Sequence, residues 1–581
     1  MTQILQKFFR FVGKQKGKFI ISIWLIMLYA IFEAIRIPAI AIVLSAIVDG
    51  HMTIQTVGMS LGIMLVSIIG CILTRKEFTL LQTQGGYTMA ADKRVEIGDR
   101  LKYMPMGYFS TNNLGYIISV TTNSCDTLQD AATRVIMMTL QGLLSTAMIM
   151  LAILIFDWRI ALLMTLGVLV FFVINALMQK KSRKVSPIKS ASDDNLVEAV
   201  LEYVQGIGVV RSYNLDKSAN KRVDDAIYDN ENVSMRLEKS FVPYISAQSF
   251  VLKMFGVLMI FASIFFYKNG SIELVSCLLM MVASFMIYAQ LDTVGGFSAL
   301  LRMMDLSMDK VNSIFDTPVM DVTGKDIEPK GFDICGESVS FSYDKEKIID
   351  DVSFLIPQGT TTAIVGPSGS GKTTLCHLMA RFWDVDSGTI TLGNINVREY
   401  TLDSLQKNFS MVFQDVYLFS DTITNNIKFG KPDATMEEVI EAAKKACCHE
   451  FISKLPHGYN TIIGEGGDTI SGGEKQRISI ARALLKDAPI IILDEATANV
   501  DPENEHQLQM AIAELTRNKT IIMIAHRLKT VQDADQILVL DNGKIIQQGT
   551  HNELIGQKGI YADFINTRKN AIGWKLKAQR I

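Results

Sequence analysis

Cysteine and proline are scarce in this chain, seven and twelve among 581 residues. No cysteines fall at a zinc spacing. Only Cys447 and Cys448 adjoin, and neighbours on a helix point apart. A structural zinc site and a disulfide framework are therefore excluded as organising devices, and the soluble part reads as reduced and cytosolic. An excess of one charge is missing too: the formal net charge is −2 and the pI about 6.4. That leaves no overall electrostatic footprint for nucleic acid, and none is expected as a partner. No short apolar segment with a small-residue cleavage site opens the sequence, so a signal peptide is not expected. What abounds is apolar sequence, at 49% hydrophobic residues and mean hydropathy +0.24. Part of the chain should lie in lipid, and its length calls for at least two domains.

Six apolar stretches, at 19–48, 54–73, 135–156, 160–178, 241–267 and 272–288, reach or approach the roughly 20 residues needed to cross a hydrocarbon core. The links after the first, third and fifth are short. Those after the second and fourth are long and rich in Lys and Arg, with Arg75, Lys76, Lys180, Lys181, Arg183 and Lys184 close to membrane ends. The positive-inside rule puts both termini and both long links in the cytoplasm. Apolar residues recur at helical spacing through 75–130 and 182–239, so membrane helices should run on into the cytosol. Tyr108–Tyr116 and Arg211–Asn214 interrupt these links, each as a short crosswise helix or a plain hairpin turn.

Residues 1–18 mix Phe8, Phe9 and Phe11 with Lys7, Arg10 and Lys14, as suits an amphipathic helix at the membrane–water interface. Glu33 and Arg36 stand three apart in the first stretch; they read either as an internal ion pair or as a polar contact for substrate. Lys253 in the fifth has no local partner, so it snorkels or faces a polar cavity. Several of the 29 methionines sit here, for example Met280 and Met281, as ordinary filler or as the lining of a permissive apolar cavity. Residues 19–316 are thus expected to form the transmembrane domain, 317–331 a polar linker, and 332–581 a soluble domain of alternating strands and helices.

The soluble half centres on Gly366-Pro367-Ser368-Gly369-Ser370-Gly371-Lys372-Thr373, which fits the phosphate-binding pattern G-x-x-x-x-G-K-[ST]. A β-branched run before it reads as a buried strand, and the segment opening with Thr374 reads as a helix. That context separates a phosphate loop from an ordinary glycine turn. Backbone N–H groups and the helix N-terminus would cradle phosphate, Lys372 would meet the outer phosphates, and the Thr373 hydroxyl would join Mg²⁺. Downstream, Ile490–Leu493 is an apolar run ending in Asp494 and Glu495, an acid placed for Mg²⁺ followed by one placed to polarise water. Ser471-Gly472-Gly473-Glu474 opens a helix and makes a second anion site.

The order of Gly366–Thr373, Gln414, Ile470–Gln476, Ile490–Glu495 and His526 resembles the nucleotide-binding domain of ATP-binding cassette (ABC) transporters. With six membrane stretches before it, the chain is similar to an exporter-type half-transporter. The fold class this implies is a multidomain membrane protein: a six-helix all-α transmembrane domain with long cytosolic extensions, then an α/β P-loop ATPase domain. The resemblance implies that Tyr343 stacks on adenine and that Gln414 meets Mg²⁺ and signals to the membrane domain. It makes Glu495 the catalytic carboxylate, His526 the γ-phosphate switch, and Asp501 part of a loop between paired domains. It also implies that Ser471 and Gly473 contact ATP held by a second subunit, so the working unit is a dimer, homomeric or heteromeric. Ile470 and Glu474 depart from the commoner Leu and Gln, which leaves the contact at Glu474 open.

The expected activity is ATP-driven movement of a small amphipathic molecule across a bacterial inner membrane, with export as the default direction. Short stretches, Gly464–Gly467, the Ile470–Gln476 signature with Glu474, Asp501–Glu505 and Gly573–Leu576, are similar instead to exporter-fold importers of siderophores such as mycobactin and yersiniabactin, usually heterodimers. Six apolar spans exclude a soluble factor acting on DNA or ribosomes. An intact Glu495 favours turnover over a gated channel.

Overall fold

The computed structural model describes residues 2–109, 111–213, 217–320, 324–343, 346–464, 467, 469–494, 502–524 and 531–572. The chain divides into two compact units: Met1–Lys102 with Phe109–Pro318, and Tyr103–Tyr108 with Val319–Ile581.

Among the described residues of the first unit, six helical segments are long and apolar enough to cross a membrane: Gly13–Val48, Ile54–Leu101, Leu114–Phe156, Trp158–Gln205, Lys221–Lys268 and Leu274–Phe297. A helix of 48 residues, such as Ile54–Leu101, is about 70 Å long, over twice the hydrocarbon thickness, so it must continue into water. Two of the three short links supply helix caps. Thr53 forms a capping box with Thr56, and Asp157 accepts from the N–H groups of Arg159 and Ile160 at 2.8 and 3.3 Å. In the long links, Met106–Phe109 forms a 3₁₀ turn followed by helix Thr111–Ser119. Helix Trp158–Gln205 stops at Gly206, and Ile207–Ser212 makes one further turn. Asn214 lies outside the described residues.

Helix Thr2–Phe11 is present, but its aromatic face is taken up by the protein itself. Phe8 and Phe11 are buried, the Phe8 ring meets Phe19 edge-on at 5.2 Å, and Lys7 pairs with Asp305 at 2.5 Å. Glu33 and Arg36 are not an ion pair. The helix breaks at Ile35, and the two side chains turn to different neighbours. Buried Glu33 accepts from Ser145 Oγ at 2.7 Å and Gln290 Nε2 at 3.1 Å, while Arg36 Nε donates to Ser67 at 3.2 Å. Lys253 is exposed.

The second unit holds ten described strands. A four-stranded antiparallel sheet runs β2 (Glu346–Ile356), β1 (Ile334–Tyr343), β4 (Ser387–Leu392), β5 (Ile395–Asn396). A six-stranded sheet runs β10 (Lys544–Gly549), β9 (Gln536–Asp541), β3 (Thr361–Val365), β8 (Thr520–Ile524), β7 (Ile490–Asp494), β6 (Phe409–Val412). All of its pairings are parallel except β9 with β10. Helices cover parallel sheets on both faces, so their strands read as unbroken apolar runs. In β7, Ile491 and Leu493 join one buried cluster and Ile490 and Ile492 the other. The phosphate-loop strand β3 lies inside this sheet, and the C-terminal ends of parallel strands are where such folds bind ligands.

Close approach between membrane helices depends on small residues. A Cβ on Gly142 would lie 2.5 Å from Val294 Cγ2 and 2.9 Å from the Gln290 carbonyl. Gly142→Val is therefore expected to destabilise the bundle by about 1–3 kcal/mol. This would be read as a lowered melting temperature of the detergent-solubilised protein; an unchanged one would contradict the packing.

Candidate nucleotide site

The turn after β3 is shaped by what it cannot contain. Gly366 has φ +155°, and a Cβ there would lie 2.0 Å from the Leu540 carbonyl in β9. Gly371 has φ +100°, and its Cβ would meet Ile349 Cδ1 at 2.8 Å. Only glycine fits either position. Pro367 O accepts from Ser370 N at 3.3 Å, and Gly543 N donates to Ser370 O at 3.2 Å, which closes the loop. Gly371 then caps helix Lys372–Met379. Lys372 is 8% exposed, and its ammonium donates to the Gly366 and Pro367 carbonyls at 3.1 and 2.6 Å. Its charge is thus folded over the mouth of the loop. Pro367, Ser368, Gly369 and Thr373 are exposed and Thr374 is buried.

Asp494 ends β7 at 6% exposure. Burial, and then the Asp494 carboxylate, push the Cys376 thiol well above its ordinary range, so this acid faces the phosphate-loop helix. Gln414 is exposed just past β6. The loop carrying it is fastened to the helix Gly472–Lys486: Gln476 Nε2 donates to Phe413 O at 3.3 Å, and Arg482 donates to the Tyr417 and Asn426 carbonyls at 2.9 and 2.6 Å. Burial lowers Arg482 to about 10, which leaves it charged at neutral pH. Ser471 caps that helix. Glu474 turns back so that its Oε2 accepts from both the Ser471 N–H and hydroxyl at 2.8 Å. The unusual Glu474 thus completes a capping box, with its charge engaged by its own helix. Gly472 is exposed and Gly473 buried. Glu495, Asp501 and His526 lie outside the described residues, as do Glu465, Gly466 and Gly573–Leu576.

Tyr343 ends β1, half-buried, with its hydroxyl 3.4 Å from Thr374 Oγ1. It stands edge-on to Phe341 at 4.9 Å and to Trp383 at 5.4 Å. Trp383 stacks in turn on His377 at 5.5 Å and 28°. This aromatic platform just beyond the phosphate-loop helix escaped the sequence reading. Its one signal was the run Arg381-Phe382-Trp383, which no apolar periodicity explains.

Residues 349–498 match the ABC transporter family, and residues 20–290 match the ABC transporter transmembrane region. The ATP-dependent lipid A-core flippase of Vibrio cholerae serotype O1 is 35% identical over 510 residues, covering 84% of each chain. The chain belongs to the ABC transporters. The flippase of Idiomarina loihiensis is 32% identical over 83% of each chain. That of Pseudomonas aeruginosa is 33% identical over 81% of this chain and 78% of its own. The structure of a bacterial Atm1-family ABC exporter with ATP bound superposes at TM-score 0.86, over 96% of this chain and 99% of the other. At 24% identity that likeness shows the shared fold. This ABC transporter is an ATP-binding, exporter-type half-transporter, a multi-pass protein of the bacterial inner membrane that couples ATP hydrolysis to transport. These relatives give no support to the expected similarity with siderophore importers.

His377 gives the cassette of this ABC transporter a pH signature. Its side chain is half-buried, its buried Nε2 has no hydrogen-bond partner among the described residues, and desolvation pushes its pKa below the ordinary 6.5. The unfolded chain then binds the proton more readily than the folded one. The stability at stake is full above pH 6.5 and is lost as pH falls below it. The melting temperature is expected to drop more steeply between about pH 7 and pH 5.5 in the wild type than in His377→Phe. Equal slopes would contradict this.

Proposed function

We propose that two copies of this cassette, or this one and a related one, clamp two ATP molecules between the Lys372 loop of one and the Ser471 helix of the other. Closure would move an amphipathic lipid from the inner to the outer leaflet. The observation that carries the substrate class is the similarity to lipid A-core flippases along 84% of the chain in both directions. A single phosphate loop per chain, with a second anion-binding turn at Ser471, supports the paired arrangement.

Each residue then has a task. Tyr343 stacks on adenine, and the backbone of Gly366–Thr373 cradles the phosphates while Lys372 leaves its loop carbonyls to pair with them. Thr373, Asp494 and Gln414 offer the oxygen donors that a Mg²⁺ ion takes and so fit that ion, which neutralises phosphate charge when bound. Gly472 and Gly473 let a second nucleotide approach the N-terminus of the Gly472–Lys486 helix closely. Glu495 polarises the attacking water, His526 meets the γ-phosphate, and Asp501 lies on the loop facing the paired cassette.

In proteoliposomes, the wild type is expected to carry a fluorescent lipid across the bilayer only when ATP is supplied. Glu495→Gln should bind ATP normally while steady hydrolysis falls by roughly 10²–10⁴-fold, the usual contribution of a general base. Hydrolysis without lipid crossing would overturn the substrate class; undiminished hydrolysis in Glu495→Gln would overturn the residue assignment.

A further inference from the structure

We propose that Trp383 is a positioning residue that ties the adenine end of the nucleotide site to Tyr103–Tyr108, the stretch of chain between the second and third membrane-crossing helices. The proposal rests on the reading that Tyr343 stacks on adenine.

The turn that carries Trp383 is fixed from beneath. Arg381 is 4% exposed and takes a left-handed backbone conformation at φ 55°, a strained choice for a residue with a Cβ, one that surrounding contacts must hold in place. Those contacts are visible. Its guanidinium donates to the carbonyls of Val397, Tyr400 and Met320 at 3.1, 2.9 and 2.6 Å, and to Asp384 Oδ1 at 3.0 Å. The indole of Trp383 therefore stands on a rigid base.

Around that ring, two kinds of neighbour meet. On one side are Tyr343 at 5.4 Å and His377, from the phosphate-loop helix, at 5.5 Å. On the other is the backbone of the inserted stretch. Met106 N donates to Phe382 O at 3.1 Å, and a Cβ on Gly107 would lie 3.1 Å from Trp383 Nε1. That Nε1 is buried and makes no hydrogen bond among the described residues. The contact is therefore one of shape, and a side chain at 107 would require the indole to give way slightly. The ring is half-buried, with aromatic neighbours on one side and the inserted backbone close by on the other, so a shift of one neighbour bears on the other through it. Trp383 as mere core filler would fix the turn without making base occupancy and the inserted stretch depend on each other.

Coupling between two sites is reciprocal, which makes the difference measurable. Binding of a non-hydrolysable MgATP analogue to the purified full chain would be measured by titration calorimetry for the wild type, Gly107→Ala, Trp383→Leu and the double variant. Gly107→Ala is expected to change the Kd by about fivefold or more, although residue 107 does not belong to the nucleotide site. In the Trp383→Leu background the same change should shrink to within about twofold, as a double-mutant cycle requires of a shared path. No shift in the wild-type background, or an equal shift in both, would overturn the tie. Should Trp383→Leu fail to fold, Trp383→Phe, which keeps a ring but withdraws the Nε1 arm, is expected to reduce the Gly107 effect; an undiminished effect overturns the proposal equally. Tyr343→Ala tests the underlying reading by itself. Unchanged affinity there removes the adenine contact, whereas a silent Gly107→Ala removes the tie.

Discussion

Backbone hydrogen bonds hold Tyr103–Tyr108 to the cassette. Met106 N donates to Phe382 O at 3.1 Å, and Met320 N donates to Tyr103 O at 2.9 Å. The Tyr103 hydroxyl adds a bond to Asp403 at 3.0 Å. Each such bond is worth about 0.5–1.5 kcal/mol net, a modest sum, and the stretch packs with the cassette unit rather than with the helices on either side of it in the chain. In the chain, Tyr103 follows directly on the long membrane-crossing helix Ile54–Leu101, and Phe109 leads to the next. Without this hold, of these two connections the 317–331 linker alone would carry rearrangement around ATP to the lipid-embedded helices.

Each unit is tied together by contacts of its own. In the cassette, a parallel sheet with apolar residues on both faces carries the phosphate loop on an inner strand, and the loop is locked by the close approach of Gly366 to Leu540. Among the membrane helices, the glue is polar. Glu33 gathers Ser145 and Gln290 from two other helices, and Ser60 Oγ donates to the Ala39 carbonyl at 2.9 Å. Where little water competes, satisfied polar groups fix which helices neighbour which.

Much of this was legible in the sequence because it rests on patterns with one physical meaning. Stretches of about 20 apolar residues can be placed in lipid without knowing their neighbours, and Gly366–Thr373 needs only its own backbone to make a phosphate cradle. Ile490–Asp494 was readable as a strand for a similar reason, being apolar on both faces. What the sequence concealed depends on partners distant in the chain. Glu33 and Arg36 looked like a pair by spacing, yet a break at Ile35 and donors from other helices separated them. Phe8 and Phe11 suited lipid as well as protein, and only tertiary packing chose between the two. The hold on Tyr103–Tyr108 runs largely through main-chain atoms, which carry no residue signature. Trp383 gained its place from Arg381, whose left-handed turn follows no propensity rule.

In a transporter of this kind, ATP drawn in between cassettes should change the arrangement of the membrane helices. His51 lies exposed in the link between the first two crossing helices, away from both long cytosolic extensions in sequence. Spin labels introduced there and in the corresponding link of the paired subunit of the reconstituted transporter report the separation of the outer ends directly. Trapping the protein with ATP and vanadate is expected to shift the inter-label distances to larger values than in the nucleotide-free state. An identical distribution in the two states, with nucleotide demonstrably bound, would contradict it.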